Sequence, residues 1–211
     1  MPRKSVYIIF SLLILSFIPI QIVHGYASEE APCFTYFKNA GNNFSVECIT
    51  WDHTHLTYHI SNEIDPKYAD YYRFAFGIWQ YYLDGLITFN EVKSSYNADI
   101  QIKIIKEMEM CPRALACTEL HNDKNGNFTN AYLYASNKEC QYAKVFSSCV
   151  NIPDRKFWIA AQHEIGHTIG LAHVADNLEE PIDIMYYKVE NGIMIISKDD
   201  LQKIEEMYET P

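Results

Sequence analysis

The run His163-Glu164-Ile165-Gly166-His167-Thr168-Ile169-Gly170-Leu171-Ala172-His173 decides the reading of this chain. On a helix, His163 and His167 stand one turn apart on the same face. Two imidazole nitrogens at that spacing can share one tetrahedral Zn²⁺, with Zn–N distances of about 2.0–2.1 Å. Glu164 projects beside them, placed to take a proton from water on the metal. Gly170 lets the chain turn sharply, because glycine tolerates left-handed backbone at no steric cost, and the turn brings His173 back as a third ligand. Three protein ligands leave a fourth position open, the arrangement of a catalytic zinc and not a closed structural one. The bland alternative is an amphipathic core helix with satisfied histidines. Five positions met together (His163, Glu164, His167, Gly170 and His173) make a chance match remote.

Around this run the chain reads as alternating elements. Leu56, Tyr58 and Ile60 alternate as a half-buried strand does. Asp65-Pro66 looks like an N-cap followed by proline at the first helical position, and Tyr68, Tyr71, Tyr72, Ala75, Ile78, Trp79 and Tyr82 recur at helical spacing before Gly85. A strand at Phe89 and another at Ile100-Ile102-Ile104 follow, separated by the turn-prone Ser94 to Asn97. Pro153-Asp154 opens the helix of the metal run, which stops near Gly170. Ser197 with Asp200 resembles a capping box for a last helix, Lys198 to Tyr208. The layout is α+β. Tyr26 to Phe44 shows no clear period and reads as a disulfide-tied lead-in.

The bulk properties bound the function. The chain has 211 residues, enough for a targeting segment and one domain. Its formal charge is −10; without the first 25 residues 15 bases face 27 acids, a net −12. Such a surface repels phosphate backbones, which argues against nucleic acid as a partner. Arg3 and Lys4 before the apolar run Val6 to Ile18 read as a secretory signal over residues 1–25, with cleavage-type small residues at Val23-His24-Gly25 or Gly25-Tyr26-Ala27. An uncleaved membrane anchor is the alternative, although Pro19 and Gln21 interrupt the span. With the signal removed, no stable membrane insertion is expected, and residues 26–211 form one secreted, extracellular domain.

Six cysteines stand at 33, 48, 111, 117, 140 and 149. Behind an export signal an even count favours three disulfides, with 15 pairings open. Cys33 with Cys48 is the favoured pair, because the other four crowd into an insert spanning 111–149. A cysteine–zinc site lacks any Cys-x-x-Cys spacing.

The central run, with its neighbours, resembles the zinc signature of the metzincin peptidases, most closely the matrixin branch. Leu56 to Ile60, Ala75 to Phe89 and Ala98-Asp99-Ile100-x-Ile102 resemble that branch's first strand, its first helix with the second strand, and its third strand. Ile184-Met185-Tyr186 is similar to the Met-turn, and Asp199-Asp200-Leu201 through Tyr208 to the closing helix. The resemblance implies a zincin-like catalytic domain: a mixed twisted sheet, an active-site helix and a C-terminal helix. It implies one catalytic Zn²⁺ on His163, His167 and His173, with Glu164 as general base and acid and Met185 as a floor that does not ligate. The expected activity is that of a secreted zinc endopeptidase acting on a protein or peptide. The family aligns its substrate against the upper edge strand of the sheet, to which Ala131 to Tyr134 would correspond; a plain hairpin strand is the alternative. Two rival readings are a catalytically silent peptide-binding or adhesion module and a zinc hydrolase of non-peptide bonds. An intact Glu164 argues against the first.

There are departures from the family. No Pro-Arg-Cys-Gly pattern occurs, so latency through a cysteine switch is not expected. The cysteine insert stands where matrixins bind a second zinc and calcium, so neither site carries over. Tyr187 falls where astacins and serralysins have a zinc-reaching tyrosine; it either holds the oxyanion or lines the substrate pocket. Two weaker signals remain. His53, His55 and His59 share one strand face and could bind a second metal, but a polar sheet face is the favoured reading. Asp123-x-Asn125-Gly126-Asn127 gathers oxygens in a turn without the later glutamate of a calcium loop, which favours a simple turn.

Overall fold

The computed structural model describes residues 33–40, 43–104, 115–136, 138–142, 147–174, 182–186 and 194–209. In chain order the elements are β1 (Thr35–Ala40), β2 (Asn43–Cys48), β3 (His55–Ile60), α1 (Pro66–Tyr82), β4 (Thr88–Glu91), β5 (Ile100–Ile104), β6 (Ala116–Asn122), β7 (Phe128–Ala135), β8 (Lys138–Tyr142), β9 (Ser147–Asn151), α2 (Asp154–Thr168), β10 (Ile182–Asp183), β11 (Met194–Ile195) and α3 (Lys198–Tyr208). The N-terminal segment read as a secretory signal lies outside the described residues.

Five strands form the principal sheet, in the order β4-β3-β5-β7-β6. Pairing is parallel from β4 through β7, and β6 alone runs antiparallel, on the edge beside β7. With three helices this is the expected α+β architecture, and the mixed sheet follows from its chain order. Parallel neighbours need a crossover, which α1 supplies between β3 and β4.

α1 starts where its cap chemistry dictates. Asp65 Oδ1 accepts the Lys67 backbone N–H at 2.9 Å, and Pro66 sits at the first helical position. Ala69, Tyr72, Ala75, Phe76 and Trp79 are buried along one stripe. The helix ends at Tyr82, ahead of Gly85, with Leu83 as its cap. α2 is buried at every residue from Ile159 to Thr168; it lies beside α1 and against β6 and β7, while α1 meets β3 and β4 through Phe76. The Trp79 indole N–H donates to the Gln162 carbonyl at 2.9 Å, and Tyr72 meets Phe157 edge to face. α3 begins with the expected capping box, Ser197 and Asp200 each accepting the other's backbone N–H at 3.0 Å.

Two features differ from the sequence reading. The lead-in is a hairpin, β1 paired antiparallel with β2 and pinned by the Cys33–Cys48 disulfide, the favoured pair. Gly41-Asn42, residue types that favour tight turns, was the available signal. The second difference is a correction: Ala131 to Tyr134 is not an edge. It lies in β7, paired on both sides by β5 and β6. Among the described residues the outer edge of the sheet beside α2 belongs to β6. The span 111–149 therefore contributes β6 and β7 to the main sheet, and β8 pairs with β9 as a separate ribbon in which Cys140 stands opposite Cys149. Cys117 is disulfide-bonded as well.

Candidate metal centre

α2 carries His163 and His167 on one face, and the chain reverses immediately after the helix. Gly170 has φ +103°, a conformation that side-chain-bearing residues rarely adopt. The Leu171 N–H returns to the Gly166 carbonyl at 3.1 Å, and His173 comes back toward the helix. The result is convergence of three rings. The Nε2 atoms of His163 and His173 are 3.1 Å apart, those of His167 and His163 3.1 Å, and those of His167 and His173 3.2 Å.

The tautomers follow from the neighbours. His163 Nδ1 lies 2.7 Å from the Ile184 carbonyl, and His167 Nδ1 lies 2.7 Å from the Leu171 carbonyl. A carbonyl can only accept, so each Nδ1 carries the proton and each Nε2 presents a bare lone pair, the state of a metal-ligating imidazole. Burial depresses all three pKa values. His163 falls to about 4, helped by the neighbouring His173, and His167 is pushed well below the usual histidine range by burial and by both partner rings.

Neutral lone pairs brought this close repel one another unless a cation lies among them. Around a tetrahedral Zn²⁺ with Zn–N of about 2.0–2.1 Å, ligand nitrogens are separated by roughly 3.3–3.4 Å. The observed triangle fits that donor set, and the three histidines are a cluster able to hold a metal ion. Glu164, 5% exposed, follows His163 on the same helix. Burial raises its carboxyl pKa to about 7, against the opposing effect of a hydrogen bond from Thr118.

The surroundings hold this arrangement in place. Met185, fully buried, lies against Gly166 in the last turn of α2. Its own backbone is tied down twice: Met185 N–H donates to Asp183 Oδ1 at 2.7 Å, and its carbonyl accepts the Val174 N–H at 3.1 Å. The N-terminal lead contributes Phe34, whose ring lies 5.6 Å from that of His167 and whose N–H donates to the Gly170 carbonyl at 3.2 Å.

The weaker sequence signals separate from this centre. His53 pairs with Asp52 at 2.6 Å, His55 with the Thr88 hydroxyl at 2.8 Å, and His59 with the Val92 carbonyl at 3.0 Å. Their partners differ, and among the described residues they form no metal cluster. Asp123 Oδ1 accepts the backbone N–H groups of Asn125 and Asn127 at 2.8 and 2.9 Å, which makes a simple turn of that loop. Tyr187 lies outside the described residues. Sequence reasoning missed Thr118, which reaches the Glu164 carboxylate from β6, and Asp183, which holds the Met185 loop. The Thr118 contact joins residues 46 positions apart and has no local signature, whereas an aspartate two residues before Met185 is a local turn signal that could have been read.

A family model described as Matrixin matches residues 50–209. The chain is 29% identical over 185 residues to matrix metalloproteinase-16 of Rattus norvegicus, and 29% identical over 184 residues to matrix metalloproteinase-16 of Homo sapiens. Each match takes in 76% of this chain and 28% of the relative, so the chain spans well under a third of the length of these relatives.

Proposed function

This chain belongs to the matrixin family, and on that premise we propose that it is a secreted zinc-dependent endopeptidase, with His163, His167 and His173 as metal ligands and Glu164 as general base and acid. The observation that carries the reading is the triangle of Nε2 lone pairs, 3.1–3.2 Å on a side, next to a buried carboxylate. Bound there, zinc supplies a Lewis acid that lowers the pKa of water to about 7.

The chain's own residues do the rest. The Ile184 and Leu171 carbonyls hold the two helical imidazoles in the ligating tautomer. Glu164 accepts a proton from the attacking water as the new C–O bond forms, then delivers it to the departing amine nitrogen as the C–N bond breaks. Burial raises its pKa, which favours a group that must take and return a proton, and a bound cation would pull in the opposite direction. Among the described residues β6 has no strand on its outer side, so an extended peptide would add there as a further strand and gain affinity without strict sequence choice. Secretion rests on Arg3-Lys4 and the apolar run that follows. Among the described residues no helix is long and apolar enough to cross a membrane.

The deciding experiment incubates the purified, zinc-loaded chain with denatured protein, with and without a chelator, beside Glu164→Gln. Chelator-sensitive fragments are expected from the native sequence and none from Glu164→Gln, whose zinc content should match the native protein because every ligand is intact. Peptide binding without fragments would favour the adhesion or binding module instead.

A further inference from the structure

The edge strand β6 does more than close one side of the sheet. Thr118, half-buried within it, turns its side chain toward α2, and its Oγ1 lies 2.6 Å from Glu164 Oε2 and 3.2 Å from the Glu164 carbonyl. A hydroxyl has one proton to give. The carbonyl is a helical acceptor already served by the helix ladder, whereas the carboxylate oxygen is nearer and makes the stronger, charge-assisted bond. The proton therefore goes to Oε2.

We propose that Thr118 is a positioning residue for the reaction: its hydroxyl pins Oε2 of Glu164 and leaves Oε1 as the oxygen that addresses the attacking water. This rests on the endopeptidase reading above. A carboxylate on a flexible two-carbon stem rotates among several rotamers, and a general base must keep one oxygen within hydrogen-bond reach of the proton it takes. Packing restrains the stem of Glu164, and the hydroxyl supplies a directional restraint on its end. Thr118 is also carried by the strand whose outer edge would pair with substrate, with Leu133 opposite it in register on β7. Docking a peptide on β6 and orienting the base are thus tasks of one strand. The contact joins residues 46 positions apart, so it is a product of the fold and not of the zinc run.

The test separates orientation from substrate docking. Thr118→Val keeps the branched shape and removes the hydroxyl, Thr118→Ala removes it with less bulk, and Thr118→Ser restores it. Loss of one such supporting contact costs about 10–100-fold, so kcat should fall by that factor in the valine and alanine variants, and the serine variant should recover most of it. KM and the zinc content per chain should stay at native values in all three. The dissociation constant of a short peptide should be the same for Glu164→Gln alone and for Glu164→Gln combined with Thr118→Val, since docking does not need the hydroxyl. Native kcat in Thr118→Val would overturn the proposal. So would a rise in KM at constant kcat, or a serine variant no better than alanine. If the native chain shows no chelator-sensitive cleavage, the endopeptidase reading falls and takes this role with it; if it cleaves and only the Thr118 pattern fails, the reading stands without it.

Discussion

The thioether of Met185 occupies the space where a β-carbon on Gly166 would stand. Both are deep in the core, Met185 fully buried and Gly166 in the most enclosed stretch of α2, with the fully buried Trp79 indole on the same side. The glycine between the two helical histidines is therefore a packing requirement. It lets the methionine loop close against the helix backbone directly behind the histidine cluster.

Gly166→Ala sets two effects against each other. Alanine is the better helix former by about 1 kcal/mol. Its methyl group must displace Met185 and crowd Trp79 in a filled core, and overpacking of that kind costs about 1–3 kcal/mol. The second effect should exceed the first, and urea unfolding of the zinc-loaded protein should show a lower midpoint than native. A variant with a higher midpoint would mean that Met185 moves aside freely, and the packing argument would fail.

The end of α2 is held from the opposite side. Trp51, itself buried, donates its indole N–H to the Thr168 carbonyl at 2.7 Å, and the Tyr208 hydroxyl donates to the Ile169 carbonyl at 3.3 Å. These carbonyls lie at the C-terminal end of the helix, where no intrahelical partner remains. The side chains that satisfy them come from the segment before β3 and from α3, so three distant parts of the chain meet just before Gly170.

Trp51→Phe keeps an aromatic ring, removes the donor and leaves a small cavity. The Thr168 carbonyl, left buried without its indole partner, should make the variant about 1–3 kcal/mol less stable. Tyr208→Phe, whose bond is longer and half-buried, should cost less than Trp51→Phe in the same urea titration. Losses that are equal, or larger for Tyr208→Phe, would overturn this ranking of the two donors.

Much of this architecture was legible in the sequence because its signals are local. The Asp65-Pro66 start, the Ser197–Asp200 box and the alternation of Leu56, Tyr58 and Ile60 each lie within a few residues of what they specify. The convergence of His163, His167 and His173 needs only one helical turn and one glycine. β6 was missed for a physical reason: as an edge strand it is half-exposed on both faces, so only Ala116 and Leu120 are buried and no strict alternation survives. β7 shows buried Ala131 and Leu133 and was seen, but as an edge. Thr118 against Glu164 and Asp183 near Asp200 are long-range meetings that no periodicity announces.

That last pair predicts a pH dependence of stability. Asp200 is 1% exposed; its Oδ2 accepts the Ser197 N–H at 3.0 Å, and its buried Oδ1 has no hydrogen-bond partner among the described residues. Burial, then the charge of Asp183, raise its pKa from 3.8 to about 7, against the lesser opposing pull of the Ser197 hydrogen bonds and Lys203. The folded chain thus holds a proton that the unfolded chain has released across the window from 3.8 to about 7. Stability falls with rising pH wherever the native state binds more protons, so this carboxyl weakens the fold progressively through that window and by a constant amount above it. Asp200→Asn keeps an oxygen for the Ser197 N–H and cannot ionise. Its urea midpoint, relative to the native protein, should climb as pH rises through the window and level off above about 7, since other titrating groups are common to both chains. A difference that stays flat from acid to neutral pH would place the Asp200 pKa in the ordinary carboxylate range and remove the coupling between the methionine loop and the last helix.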